Sequence, residues 1–227
     1  DTPSRFKPVR PVLRWPGGKK NLVKQYAPML LPRDKFTRFH EPTVGGGAML
    51  FLHAYEAERL FLNYALPEVC ALYTAIKEDV EGLTDKALLL AGKIVRALMT
   101  GGNDDAWAEF RTMRASLSEW RVKGDSVSTE AAAWMLVLNR TAINGLHRVS
   151  RKGQCNMPFR KDLLDKALSG KVTAQSLVRP VHLIETHDLF TRTDAVITQG
   201  DFADQEILIE KGDYVFFDPP YDPCPKK

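Results

Sequence analysis

The chain has 227 residues of ordinary globular composition, 44% hydrophobic and 26% charged, enough for one large domain or a core with one sizeable insertion. No apolar run reaches the roughly 18 to 20 residues of a membrane span, the amino terminus lacks a signal-peptide core, and Cys70, Cys155 and Cys224 show no C-x-x-C spacing, so a membrane protein, a disulfide framework and a zinc site are all disfavoured and a reducing cytoplasm fits best. The net charge of +4 is small but localised: residues 131 to 161 hold no acid, while Arg140, Arg148, Arg151, Lys152, Arg160 and Lys161 give that tract an electrostatic footprint suited to a polyanion.

In chain order, a proline-rich basic arm leads into Arg14-Trp15-Pro16-Gly17-Gly18-Lys19 and a short apolar-periodic helix near 21–30. The two glycines permit close backbone approach, and Lys19 adds a cation at the helix start, where an anion is favoured. The pattern is not the phosphate loop G-x-x-x-x-G-K-S/T, which disfavours a nucleoside triphosphate. Phe39-His40-Glu41 is then a strand, Pro42-Thr43-Val44-Gly45-Gly46-Gly47 a glycine turn, and Met49 to Tyr55 an apolar helix. At the end of the first strand of a doubly wound sheet, such a turn floors a nucleoside or cofactor site. It lacks G-x-G-x-x-G spacing, so a cofactor without a pyrophosphate is favoured. Arg59 to Asn63 is the next strand, and Glu68 is the nearest acid after it.

The middle of the chain is helical: the periodicity predicts helices over 67–76, 84–99 and 104–120, with Trp107, Phe110, Met113 and Leu117 sharing one core face. Gly101-Gly102-Asn103 and Lys123-Gly124-Asp125 are breaks, and Ser128 or Thr129 caps a further helix through Leu138. Asn144-Gly145 and Lys152-Gly153 are turn dipeptides within an alternating segment, the pattern of a β-hairpin. This is the acid-free tract, and it holds what a DNA groove requires: Arg148 for a guanine edge, Asn144 for a base amide, and Ile143 or Leu146 to fill a gap in the stack.

After a polar helix near 162–168, Val181-His182-Leu183-Ile184 and Ala195-Val196-Ile197-Thr198 have strand character, followed by Gly200-Asp201-Phe202 and a short helix near 204–210. Asp201 and Phe202 either meet a cofactor's base or serve as a cap and a packing residue. The apolar run Tyr214-Val215-Phe216-Phe217 reads as a buried strand ending in Asp218-Pro219-Pro220-Tyr221. The prolines fix φ through the turn, so a carboxylate, fixed carbonyl acceptors and an aromatic face lie together, suited to an amine donor on a flat ring.

These elements resemble those of Dam-type DNA adenine-N6 methyltransferases. Residues 14–19 are similar to the family's K-W-A-G-G-K, Glu41 to Ala48 to its E-P-F-V-G-G-G-A, and Asn139 to Phe159 to its N-R-x-x-x-N-G-L-x-R hairpin. Gly200-Asp201-Phe202 and Asp218-Pro219-Pro220-Tyr221 complete the set in the family's order.

The resemblance implies an α/β fold: a Rossmann-like doubly wound methyltransferase sheet, incomplete at its carboxyl-terminal side, with a helical and β-hairpin recognition insertion. Residues 1–70 and 171–227 would form the catalytic unit and 71–170 the insertion. S-adenosyl-L-methionine would be held by Trp15, Lys19, Glu41, Pro42, Val44, Gly45, Gly46, Gly47, Asp201, Phe202 and Asp218. Duplex DNA would be the partner, with a flipped adenine held by Asp218, Pro219, Pro220 and Tyr221. Arg140, Ile143, Asn144, Gly145, Leu146, Arg148, Arg151, Lys152, Asn156 and Pro158 would contact the duplex. No metal is required, and a monomer at the nucleoid is expected.

Five positions depart from the family pattern. Tyr64, Ala65 and Leu66 stand where its ribose-binding acid element is expected, Thr43 replaces an aromatic residue, and Ile143 stands where an aromatic wedge often lies. A relative that binds DNA without catalysis, and a methyltransferase acting on RNA or protein amides, are the alternative readings.

Overall fold

The computed structural model describes residues 9–16, 36–53, 57–125 and 127–219. Strand β1 (Arg38–Glu41) is followed by the glycine turn, a short helix α1 (Leu50–His53) and strand β2 (Arg59–Tyr64). Helices α2 (Pro67–Glu78), α3 (Val80–Lys123) and α4 (Thr129–Thr141) follow. The basic hairpin pairs β3 (Arg148–Val149) with β4 (Cys155–Asn156) in antiparallel register. Helices α5 (Leu163–Leu168), α6 (Ala174–Val178) and α7 (Pro180–Arg192) then lead to strand β5 (Val196–Gln199), a 3-10 helix over Phe202–Leu208, and strand β6 (Tyr214–Val215).

The four long-range strands pair in parallel in the order β5-β2-β1-β6. Leu60, Phe61 and Leu62 are consecutive buried residues in β2, as a strand covered on both faces requires. The chain leaves β1 toward β2 and returns on its other side as β6. All four carboxyl ends therefore lie along one edge of the sheet, where ligands of open α/β sheets bind. This establishes the expected mixed α/β class with a parallel sheet.

Sequence chemistry explains the helical block. Pro67 occupies the first turn of α2, where its missing N–H is no loss. Asp79 accepts from Gly82 N to open α3, and Gly124 closes it in the left-handed conformation. The expected break between two helices is a kink at Gly102 (φ 72°, ψ −152°), a backbone state that favours glycine. Ser128 caps α4 through Ala131 N, and nearly every later residue of that helix is buried. It is the central rod of the block, and its apolar side chains join those of the sheet in one continuous core.

Four expectations are corrected. Residues 181–184 are helical, not extended: Pro180 sits in the first turn of α7, whose Leu183, Thr186, Leu189 and Phe190 turn to the core. The fourth capped helix continues through Thr141 rather than ending at Leu138. Trp107 is 43% exposed because Ala106 takes the inward position beside Phe110, Met113 and Leu117, leaving Trp107 under the Arg111 guanidinium at 4.6 Å. The last strand is short, with Tyr214 and Val215 in register with β1 and Phe216 N donating to His40 O at 2.9 Å, and Phe217 is 49% exposed beside Phe202.

Phe110→Ala should lower unfolding free energy by about 3 to 5 kcal/mol in denaturant titration, whereas Trp107→Ala should change it by about 0.5 kcal/mol or less. Equal losses would contradict this assignment of the buried face.

Candidate functional site

The glycine turn lies at the carboxyl end of β1. Gly45 (φ 48°) and Gly47 (φ 68°) adopt left-handed conformations, and a Cβ on Gly46 would come within 2.5 Å of Trp15 Cβ. Trp15 thus covers the turn from the amino-terminal arm. Beneath it, Tyr73 of α2 donates its hydroxyl hydrogen to Gly45 O at 3.0 Å. The fully buried Glu41 carboxylate accepts from Leu50 N at 2.8 Å, closing the turn onto α1. Burial pushes this carboxyl up to about 8; the Leu50 bond opposes that shift and the charge of Asp218 adds to it.

Asn63, at the end of β2, joins neighbouring strand ends. Its Nδ2 donates to Pro42 O at 3.0 Å and Gly200 O at 3.2 Å, and its Oδ1 accepts from Thr198 Oγ1 at 3.0 Å. Val44 N donates to Asn63 O at 3.1 Å. On the other side of β1, Asp218 N donates to Thr43 Oγ1 at 3.2 Å, so the residue replacing the aromatic supports the Asp218 turn. Phe202 meets Phe217 edge-on at 5.0 Å, and Asp201 accepts from Ala203 N at 2.9 Å as a local cap. Tyr64 turns its ring edge-on to Trp15 at 5.7 Å.

Trp15, Glu41 to Gly47, Asp201, Phe202, Asp218 and Pro219 are therefore assembled on one edge of the sheet. The turn is thus backed by the buried Glu41 and covered by the Trp15 indole, with Asp218 alongside. Lys19, Pro220 and Tyr221 lie outside the described residues.

The hairpin emerges where α4 ends. Asn144 (φ 54°) and Gly145 (φ 69°) form its first turn, and Ile143 N donates to Pro158 O at 2.9 Å. Arg148 faces Asn156 in register, and Gly153 (φ 77°) occupies the distal turn. Ile143, Asn144, Arg148, Arg151, Lys152 and Asn156 are exposed, while Leu146 and Pro158 are half-buried. Gly145 is placed differently from the surface contact expected: it is buried, and a Cβ there would come within 2.3 Å of Arg14 O.

Asn139 secures this approach. Its Oδ1 accepts from Arg14 N at 2.9 Å, and its Nδ2 donates to Arg14 O at 2.8 Å and Gly145 O at 3.1 Å. Arg140 likewise sits deeper than expected, 3% exposed, with Nε and Nη2 lacking partners among the described residues. Burial pushes its guanidinium down to about 9, and the charges of Arg179 and Arg14 add to the shift.

Glu68, the nearest acid after β2, points away from a ribose role. It is wholly buried, with one oxygen bonded by His147 Nε2 and the other by Arg121 Nη1. Asn63, Thr43, Tyr73, Asn139 and the Glu68 pair were absent from the sequence-derived site. The N-R dipeptide marked Asn139; the others carry no local signal, since each bonds a distant segment.

Comparisons with known proteins show what the chain is similar to. A family model described as D12 class N6 adenine-specific DNA methyltransferase matches residues 15–227. The chain is 28% identical over 224 residues to the type II methyltransferase M.MjaIII of Methanocaldococcus jannaschii, covering 96% of this chain and 71% of that protein. It is 27% identical over 216 residues to the type II methyltransferase M1.LlaDCHI of Lactococcus lactis subsp. cremoris, covering 95% of this chain and 66% of the relative. The DNA N-6-adenine-methyltransferase of Escherichia phage P1 is 27% identical over 220 residues, which are 95% of this chain and 24% of that protein.

The raised Glu41 carboxyl sets a pH dependence. Its contribution to stability is fully present below the ordinary value of 4.5 and is lost as pH rises through about 8. Urea titrations across that window should show stability falling toward alkaline pH, with the slope reduced in Glu41→Gln. An unchanged slope in the variant would remove Glu41 as its source.

Proposed function

The chain belongs to the D12 class of N6 adenine-specific DNA methyltransferases, and from that premise we propose that it transfers a methyl group from S-adenosyl-L-methionine to N6 of an adenine flipped out of duplex DNA. The observation that carries this reading is the hydrogen bond from Asp218 N to Thr43 Oγ1, which sets the Asp218-Pro219 turn directly against the glycine turn. The chain spans between about a quarter and seven-tenths of these relatives' lengths.

When bound, the cofactor supplies an electrophilic methyl group on a sulfonium. Trp15, Lys19, Glu41, Pro42, Val44 and Gly45 to Gly47 would hold it, with Asp201 and Phe202 beside its adenine. The Asp218 carboxylate and the Pro219 carbonyl accept hydrogen bonds from the target N6, orienting its lone pair, and Asp218 receives the proton that N6 gives up. By the family resemblance, Pro220 and Tyr221 would complete the site, Tyr221 stacking on the flipped base. Rate enhancement on this reading comes from positioning and fixed electrostatics.

The duplex would lie on the hairpin side. Exposed Arg148 and Asn144 suit base edges, Ile143 and Leu146 suit the gap left by the flipped base, and Pro158 borders them. Arg151, Lys152 and Asn156 suit backbone phosphates. Arg140 supports the reading from below, adding its charge to those of Arg14 and Arg179 beneath the hairpin rather than touching a phosphate itself. The parallel sheet supports a Rossmann-like doubly wound catalytic unit made from 1–70 and 171–227, with 71–170 inserted for recognition. The buried free thiols of Cys70 and Cys155 fit a cytoplasmic enzyme acting on the nucleoid as a monomer.

Incubation with labelled S-adenosyl-L-methionine and duplex DNA, followed by nucleoside digestion, should give N6-methyladenine. Retained DNA binding without label in adenine would overturn the catalytic reading in favour of a DNA-binding relative. Arg148→Ala should weaken discrimination at one base pair by about 1 to 3 kcal/mol; an equal loss on all sequences would identify a phosphate contact instead.

A further inference from the structure

The buried Glu68 ties together three elements, of which α3 and the hairpin also meet where Cys155 N donates to Ser118 Oγ at 3.0 Å and Arg114 Nη1 donates to Met157 O at 3.2 Å. His147 reaches it from the hairpin, Arg121 from the last turn of α3, and Glu68 itself belongs to the first turn of α2. The side chains of Glu68 and His147 are 0% and 1% exposed, so this polar contact is shielded from competing water. Burial raises the Glu68 carboxyl, but the His147 hydrogen bond and the nearby charges of His147 and Arg121 outweigh it, leaving the group below its ordinary value. Cys155 Sγ completes a group of ligand-type atoms within 4.8 Å of one another. Arg121 on the second Glu68 oxygen disfavours a cation there, and burial holds the thiol protonated by raising it to about 11.

The location of His147 matters more than the pair's strength. Along an extended segment, neighbouring side chains take opposite faces, so inward His147 fixes the direction in which Arg148 leaves the backbone. Arg148 is exposed and paired in register with Asn156. From Glu68 the connection continues to the other half of the site. Val69 N and Cys70 N donate to Leu66 O, and Cys70 Sγ donates to Tyr64 O at 3.2 Å and Thr198 O at 3.4 Å. Tyr64 in turn supports Trp15 over the glycine turn. The acid nearest the family's ribose position therefore holds the reading hairpin in place.

We propose that His147 is a positioning residue for base recognition: its bond to Glu68 anchors the hairpin to the cofactor-side end of α2 and sets the register in which Arg148 meets the duplex. This rests on the reading of Arg148 as a base contact. Removal of the His147 side chain would leave Arg148 chemically intact but free to reach more than one base arrangement.

The test uses the full chain and the sequence it prefers, found by mapping methylated adenines in treated DNA. The ratio of kcat/KM on the preferred duplex to that on a duplex with one substituted base pair cancels any change in the fraction of folded protein. His147→Ala should lower this ratio about ten-fold, and His147→Gln, which retains a donor toward Glu68, should recover most of it. In the His147→Ala background, Arg148→Ala should lower the ratio further by less than about two-fold, because coupled residues are not additive. Leu189→Ala, a destabilised control buried in α7, should leave the ratio unchanged. A His147→Ala enzyme with lowered thermal stability and an unchanged ratio would reduce the pair to a structural role and overturn the proposal. If the wild-type chain binds DNA without methylating adenine, the functional reading fails; the preferred sequence is then found by binding selection from random duplexes, and the same ratios taken from equilibrium binding decide the positioning role independently.

Discussion

Parallel strands that end side by side leave carbonyls and loop starts at one edge with no partner in the ladder, and here a single buried carboxamide organises that edge. Asn63 donates to the turn after β1 and to the end of β5, and accepts from Thr198. A buried amide with its donors and acceptor engaged leaves little freedom for the loops it touches. The glycine turn and the Gly200-Asp201-Phe202 segment consequently share one frame. Thr43 extends that frame across β1 to Asp218. Methyl transfer requires donor and acceptor to be held in line, so this rigidity is a chemical requirement as well as a structural one.

A second carboxamide does the same work between the catalytic and basic halves. Asn139, in the last turn of α4, grips both backbone polar groups of Arg14 while also bonding Gly145 O. Trp15 follows directly, so the residue covering the cofactor turn is fixed from the root of the hairpin. Arg140, the next residue, is held at the same junction with two donors that lack partners among the described residues. The arm, the hairpin and the cationic cluster thus have a common origin at one helix end.

Turns, caps and apolar runs made much of this legible in the sequence. Gly102, Gly124 and Gly153 punctuate the chain where positive φ is required, and Leu60 to Leu62 show a strand buried on both faces. The β-branched residues around Leu183 suggested a strand, but Pro180 and the 3.6-residue spacing of the buried side chains made a helix; tertiary burial decided the outcome. Trp107 was misassigned by one helical position, a hundred degrees of rotation that spacing alone resolves poorly. Glu68 illustrates the deeper limit. It is the nearest acid after β2, yet its bonds are to residues 53 and 79 positions away, and no local pattern encodes such a choice.

Sequence distance also governs when the site can exist. The contact from Asn139 to Arg14 spans 125 residues, that from Asn63 to Gly200 spans 137, and that from Asp218 to Thr43 spans 175. Closing loops of that length costs entropy before any local gain offsets it, which makes such contacts slow to form. Helices α3 and α4 can collapse on each other early, since they adjoin in sequence. The ligand-binding edge has no such shortcut. During synthesis the arm and glycine turn emerge first and wait, through the whole helical block, for the strand that carries Asp218.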